Sequence, residues 1–297
     1  MAALITTDFQ IPNDIAAEIF KKAQGGSVLA KLSGARPQKF GPQTTWVLTA
    51  PPKAEIVGEG AEKSPTPTTY APKVIKPFKT QVTMRFSQEV QWADEDTQIG
   101  VLRDLAENAG SALGRALDLA GIHKLNPLTG TTSSIITEGI ADTSQKVHFT
   151  AGSSYPELVE SAAATVLSSG YAPTGIALDP MTAFALAIAK DADGRRLYPD
   201  MGFGQNITNF MGMNAAVSDT VSAGNEKVGG TGVMGIVGQF DAFRWGVQRQ
   251  IAAHLIEFGD PDGLGDLQRM NQIALRAEIV YGIGIMDKKA FCQILNS

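Results

Sequence analysis

Residues 51–92 read PPKAEIVGEGAEKSPTPTTYAPKVIKPFKTQVTMRFSQEVQW. Two kinds of chain meet in this stretch. Its first part is dense in proline: eight of the fifteen prolines in the 297-residue chain fall between Pro37 and Pro77. Proline lacks an amide donor and fixes φ, so this part is neither helix nor central strand. Thr44 to Thr49 before it and Lys73 to Trp92 after it read as strands. The reading is a long hairpin with an extended polar tip. Irregular loops of about twenty residues are uncommon unless they have a function of their own. The second part alternates. Val82, Met84, Phe86, Val90 and Trp92 take one side, and Gln81, Thr83, Arg85, Ser87, Glu89 and Gln91 the other. That is the period of a long strand over Thr80 to Trp92 with one solvated face.

Downstream, Asp94-Glu95-Asp96-Thr97 puts acids at a helix start, as the macrodipole favours. Ile99, Leu102, Leu105, Ala106, Ala109, Leu113, Ala116, Leu117 and Ala120 follow at spacings of three and four. One amphipathic helix over 95–121 is expected, roughly 37 Å long at 1.5 Å per residue. Gly110 and Gly114 fall inside it. Residues 125–240 read as an α/β block. It holds a strand near Gln145 to Phe149, a helix over Tyr155 to Ser168 and a strand at Gly175 to Leu178. A helix over Pro180 to Lys190 follows, capped by Asp179. Strands return over Phe240 to Phe258 and through Leu275, Ala277, Ile279, Tyr281, Ile283 and Ile285. Segments 80–124 and 241–297 then make one discontinuous domain around the inserted 125–240. Upstream, 1–39 reads as an arm with one short helix, starting at Asn13 or Asp14 and stopping at Gly25-Gly26.

Composition narrows the function. Hydrophobic residues at 43% and charged residues at 19% exclude disorder, collagen and coiled coil. A net charge of −5 argues against binding nucleic acid by phosphate neutralisation. The charge is uneven: 11 basic against 6 acidic residues up to Arg85, and 14 against 24 beyond it. A basic front and an acidic back suit contacts between copies of one chain. Cys292, the single cysteine, lies among Phe291, Ile294 and Leu295 and reads as a buried, inert thiol. The apolar runs are too short for a membrane span, and no secretory leader is expected.

No constellation reads as an active site. Gly230-Thr231-Gly232-Val233-Met234-Gly235 enters a strand-like segment, whereas a dinucleotide loop opens a helix, so these are turn glycines. Asp191, Asp193 and Gly194 are not followed by the other ligands of a calcium loop. Asp260, Asp262 and Asp266 are a candidate for a divalent cation that reads first as a solvated turn. His123, His148 and His254 are far apart in sequence. No catalytic residue, cofactor or metal is expected.

The order of elements resembles the major capsid protein of tailed bacteriophages, the HK97-like fold. Ala54 to Lys63 is similar to that family's extended-loop tip, and Asp94 to Gly121 to its spine helix. Leu178-Asp179-Pro180 with Asp191 to Arg195 is similar to its axial domain. Gly238 to Trp245 and Asn271 to Glu278 resemble its return to the peripheral domain. The resemblance implies an α+β chain. Its parts would be an N-terminal arm (1–39), an extended-loop hairpin (40–79), a peripheral domain (80–124 and 241–297) with the spine helix, and an inserted α/β axial domain (125–240).

It implies a non-enzymatic protein that assembles as hexamers and pentamers into an icosahedral shell around double-stranded DNA. The implied location is the virion, assembled in the host cytoplasm. The implied partners are copies of the chain itself, a portal, a separate scaffolding protein and a decoration protein, with DNA touched weakly and no membrane. Lys53, Glu55, Glu59, Glu62 and Lys63 of the tip, with Asp94, Glu95 and Asp96 of the helix start, are the expected inter-subunit contacts. An encapsulin-like nanocompartment shell would share the fold, and a soluble α/β enzyme is the alternative from another class.

Overall fold

The computed structural model describes residues 19, 21–23, 25–50, 52–66, 68–150, 153–191, 193–203 and 207–296; of 49, 50, 95 and 250–252 it describes the backbone alone. Helical backbone within 19–26 leads to α1 (Val28–Leu32), then β1 (Gln43–Ala50), β2 (Thr69–Ile75), β3 (Pro77–Ser87) and α2 (Glu95–His123). Next come β4 (Lys146–Phe149), α3 (Tyr155–Ser168), β5 (Gly175–Leu178) and α4 (Pro180–Ala187). The chain continues through β6 (Asn209–Phe210), β7 (Met213–Val217), β8 (Val233–Gly238), β9 (Phe243–Ile256), β10 (Gln272–Ile285) and β11 (Phe291–Asn296).

The alternating segment becomes β3 but stops at Ser87, five residues short of the expected Trp92. Ser87 Oγ accepts from the Glu89 amide at 3.2 Å and starts a 3-10 turn over Gln88–Trp92. A hydroxyl that captures the next amide ends a strand that alternation alone would prolong. Val82, Met84 and Phe86 pack on the core, whereas Trp92 is exposed. β3 pairs with β10 and β10 with β9, all antiparallel. α2 lies against this sheet, with Leu102, Ala106, Leu113 and Leu117 in one buried cluster with Phe78, Ile279 and Tyr281. The helix runs two residues past the expected 121 because Lys124 adopts left-handed backbone at φ 59° and caps it.

The arm is built onto α2. Gly25 and Gly26 do not stop its helix; both are helical, and the break comes at Ser27. Ser27 Oγ accepts from the Ala30 amide at 3.1 Å and N-caps α1. The expected start at Asn13 or Asp14 lies outside the described residues. Gly110 and Gly114 mark the crossing. A Cβ at Gly110 would stand 2.6 Å from the Ile19 carbonyl, and one at Gly114 would overlap the Ala23 carbonyl. Ile19 and Ala23 are fully buried there.

The remaining strands form a six-stranded sheet in the order β4-β11-β8-β5-β7-β6. Residues 291–296, grouped from sequence with the strands returning over 241–297, lie instead between β4 and β8. Phe291, Cys292, Gln293 and Ile294 are buried in succession, which needs packing on both faces of the sheet. α3 matches its expected bounds and opens with a capping box between Ser154 and Glu157. α4 ends at Ala187 rather than Lys190. Asp191 Oδ1 accepts from the amides of Asp193 and Arg195 and turns the chain, so Lys190 bridges Arg196. The main core continues without a break from the three-stranded sheet past α2 to Ala177, Ile236, Phe240 and Phe291.

Candidate assembly surface

β1 and β2 pair antiparallel as a ribbon apart from both sheets. Thr44 faces Val74, Trp46 faces Pro72 and Leu48 faces Tyr70, so these six share one side of it. That side is apolar and uncovered: Trp46 is 66% exposed, Tyr70 55%, Val74 53% and Leu48 41%. The other side is anchored at the root, where Ile75 is buried and Lys73 pairs with Glu138 at 3.1 Å. A two-stranded ribbon is marginal alone in water, and an exposed aromatic stripe marks an interaction surface. The sequence reading did not single out Trp46, Leu48, Tyr70 and Val74. Thr44 to Thr49 carries three apolar residues in a row, so only the pairing with β2 tells which side is outward.

The tip beyond the ribbon is closed by its own polar groups. The Ala61 amide donates to the Gly58 carbonyl at 3.1 Å across a turn that puts Gly60 at φ +80°. Glu55 accepts from the Ser64 amide at 3.1 Å and from its hydroxyl at 3.3 Å. Thr66 Oγ1 donates to the Lys53 carbonyl at 3.2 Å. Glu55 therefore shapes the tip. Lys53, Glu59, Glu62 and Lys63 stand in solvent and form no ion pair among the described residues. At the start of α2, Asp94 accepts from the Thr97 amide at 3.2 Å and its hydroxyl at 2.8 Å. These bonds hold its carboxyl below the usual carboxylate range. Asp96 is exposed, and the side chain of Glu95 lies outside the described residues. Among the described residues no hydrogen bond or ion pair joins the tip to the helix start.

The other candidates are structural. Arg85 fills the centre of the Asp260–Asp262 turn. It donates through Nε to Asp262 at 2.7 Å and through Nη2 to Asp260 at 3.0 Å and the Gly265 carbonyl at 2.9 Å. The guanidinium lies between the two carboxylates, and its hydrogen bond lowers the pKa of Asp262 from its ordinary value. Asp266 instead caps the following turn by accepting from the Arg269 amide at 3.0 Å. Gly230 and Gly232 have positive φ in a turn that enters β8. Cys292 is buried, and burial pushes its thiol up to about 11. No helix among the described residues is long and apolar enough to cross a membrane.

An arm folded onto a long helix, and a ribbon whose apolar side stays exposed among the described residues, suit a shell subunit. Comparison with known proteins places it further. A model of the phage capsid family matches residues 7–294. The chain is 48% identical to a solved chain from Mycobacterium phage Ogopogo, covering 92% of each, with a TM-score of 0.82. It is 34% identical to one from Gordonia phage Cozz, covering 91% of this chain and 86% of that one, with a TM-score of 0.76. It is 24% identical to the "Probable major capsid protein gp17" of Mycobacterium phage D29, over 95% of this chain and 88% of that protein. The chain belongs to the phage capsid family. It has the HK97-like fold and the function of a tailed-phage major capsid protein, a component of the virion shell that many copies of it form.

Proposed function

We propose that the chain is the repeating subunit of an icosahedral shell around packaged double-stranded DNA, assembling as hexamers and pentamers with no enzymatic step. The observation that carries this reading is the uncovered apolar side of the β1–β2 ribbon. Fully burying a side chain such as Leu48 or Val74 contributes about 1.5–3 kcal/mol, whereas an exposed ion pair contributes about 0–1 kcal/mol. The ribbon supplies strength and the charged tip supplies register. In this reading Lys53, Glu55, Glu59, Glu62 and Lys63 lie on a neighbouring subunit, with Asp94, Glu95 and Asp96 as acidic counterparts. Residues 1–39 serve as the arm and 40–79 as the extended loop. Residues 80–124 with 241–290 serve as the peripheral domain, and 125–240 with 291–296 as the axial domain. A portal, a scaffolding protein and a decoration protein complete the protein partners. The acidic net charge keeps contact with DNA weak.

The test is the double variant Trp46→Ser/Tyr70→Ser. It is expected to keep the circular dichroism and unfolding midpoint of the parent, because neither side chain is in the core. It is expected to form no shells by sedimentation and negative-stain imaging. Shells at parental yield would overturn the reading.

A further inference from the structure

We propose that Gly246, Gly282 and Gly284 form a saddle that sets the angle at which the β1–β2 ribbon leaves the subunit, with Gln38 as the positioning residue seated in it. The proposal rests on the ribbon being the assembly contact. Gly246 lies directly opposite Gly282 in the β9–β10 ladder, and Gly284 is two residues further along β10. All three therefore share one side of the sheet. Both roots of the ribbon cross that side. A Cβ at Gly246 would overlap the Arg36 carbonyl, and one at Gly282 would overlap the Gln38 carboxamide. A Cβ at Gly284 would stand 2.6 Å from Ile75, the last residue of β2. None of the three has positive φ, so their backbone would accept any residue. Space is what requires glycine here.

The incoming root is fixed on either side of the saddle. The Arg36 amide donates to the Trp245 carbonyl at 2.8 Å, and Trp245 Nε1 donates to the Ser33 carbonyl at 3.2 Å. Gln248 Nε2 donates to the Lys39 carbonyl at 2.8 Å. Between these anchors Gln38 Nε2 is buried without a hydrogen-bond partner among the described residues. Shape holds Gln38 in its seat, since its amide nitrogen meets no acceptor among the described residues. Gly41, at φ +84°, then turns the chain into β1. The eight residues of β1 span about 26 Å at about 3.3 Å each. A tilt of about 10° at the root would displace the far end by about 4–5 Å. A contact at the far end of the ribbon is thus sensitive to the packing at its root.

The test is Gly282→Ala, which forces Gln38 out of its seat, compared with Gly282→Ala/Gln38→Ala, which removes the obstacle. Gly100→Ala, at a helix position with open space, is the control. Gly282→Ala is expected to give folded subunits whose shells are lost or altered in diameter. The double variant is expected to recover parental diameter and yield. Parental shells from Gly282→Ala alone, or a double variant no better than the single one, would overturn the proposal. Should Gly282→Ala fail to fold, Gln38→Ala alone decides: a broadened diameter distribution supports the saddle and a parental one refutes it. Failure of the ribbon reading itself would show separately, as normal assembly of Trp46→Ser/Tyr70→Ser.

Discussion

Asp118 lies near the C-terminal end of α2 with no exposed surface. Its carboxylate accepts from Ser27 Oγ at 2.5 Å, the Val28 and Leu29 amides at 2.9 and 3.0 Å, and Thr220 Oγ1 at 3.0 Å. Burial pushes its carboxyl above the ordinary carboxylate range, while these four donors pull the other way. One side chain thus caps the arm's α1, holds it to α2, and ties both to the loop before β8. Asp118→Ala would strand the Ser27 hydroxyl and two amides in the core, while Thr220 Oγ1 keeps Ser218 Oγ as an acceptor at 3.0 Å. Each such buried donor costs about 1–3 kcal/mol, with partial relaxation expected. The expected loss is about 3–5 kcal/mol of unfolding free energy at neutral pH, read in urea with an unchanged slope. A loss below about 1 kcal/mol would mean that the arm is not held through this carboxylate. The sequence offered a partial sign, a charge between Leu117 and Leu119 in an apolar helix. Its partners lie 90 and 102 residues away, beyond any local pattern.

Elements with their own periodicity were legible, and those defined by distant pairing were not. α2, α3, β5 and β10 carry their burial pattern in their own residues. The end of β3 depended on one serine hydroxyl, and the sheet to which β11 belongs depended on β4 and β8. The ribbon was foreseen as a hairpin from its prolines, but its outward side required the register. The C-terminal end of α2 shows a further coupling. His123 Nε2 donates to the Val221 carbonyl at 2.8 Å. Burial pushes the imidazole below 6.5, although carbonyl bonds from Val221 and Thr220 oppose the shift. The folded chain therefore favours neutral His123, and the unfolded chain takes up the proton near 6.5. This contribution is fully present above that pH and is lost as pH falls through the depressed folded value. The slope is at most about 1.4 kcal/mol per pH unit. His123→Gln keeps a donor for Val221 and should flatten the dependence below pH about 6.5, measured by urea unfolding at each pH. An equal slope in parent and variant would assign the dependence to other groups.

At the scale of the molecule, charge and apolar surface divide the work of assembly. The residues up to Arg85 carry 11 basic against 6 acidic side chains, and the remainder 14 against 24. The ribbon and its tip, residues 43–75, hold three lysines against three glutamates, and α2 opens on acids. Among the described residues no ion pair joins Lys53 or Lys63 to Asp94 or Asp96, so a charge contact between them would be one between copies. Lys53 and Lys63 are exposed, so any charge contact they make is screened over a Debye length of about 10 Å at 0.1 M salt. The apolar side of the ribbon is insensitive to such screening. Lys53→Glu/Lys63→Glu should therefore raise the concentration needed for assembly markedly at about 0.05 M salt and little at about 0.5 M. Light scattering against subunit concentration at the two salt levels reads the difference. The parent should change in the opposite sense, assembling less readily as salt rises. An equal defect at both levels would mean that the lysines act through fit rather than charge, and the ribbon's apolar side would then carry register as well as strength.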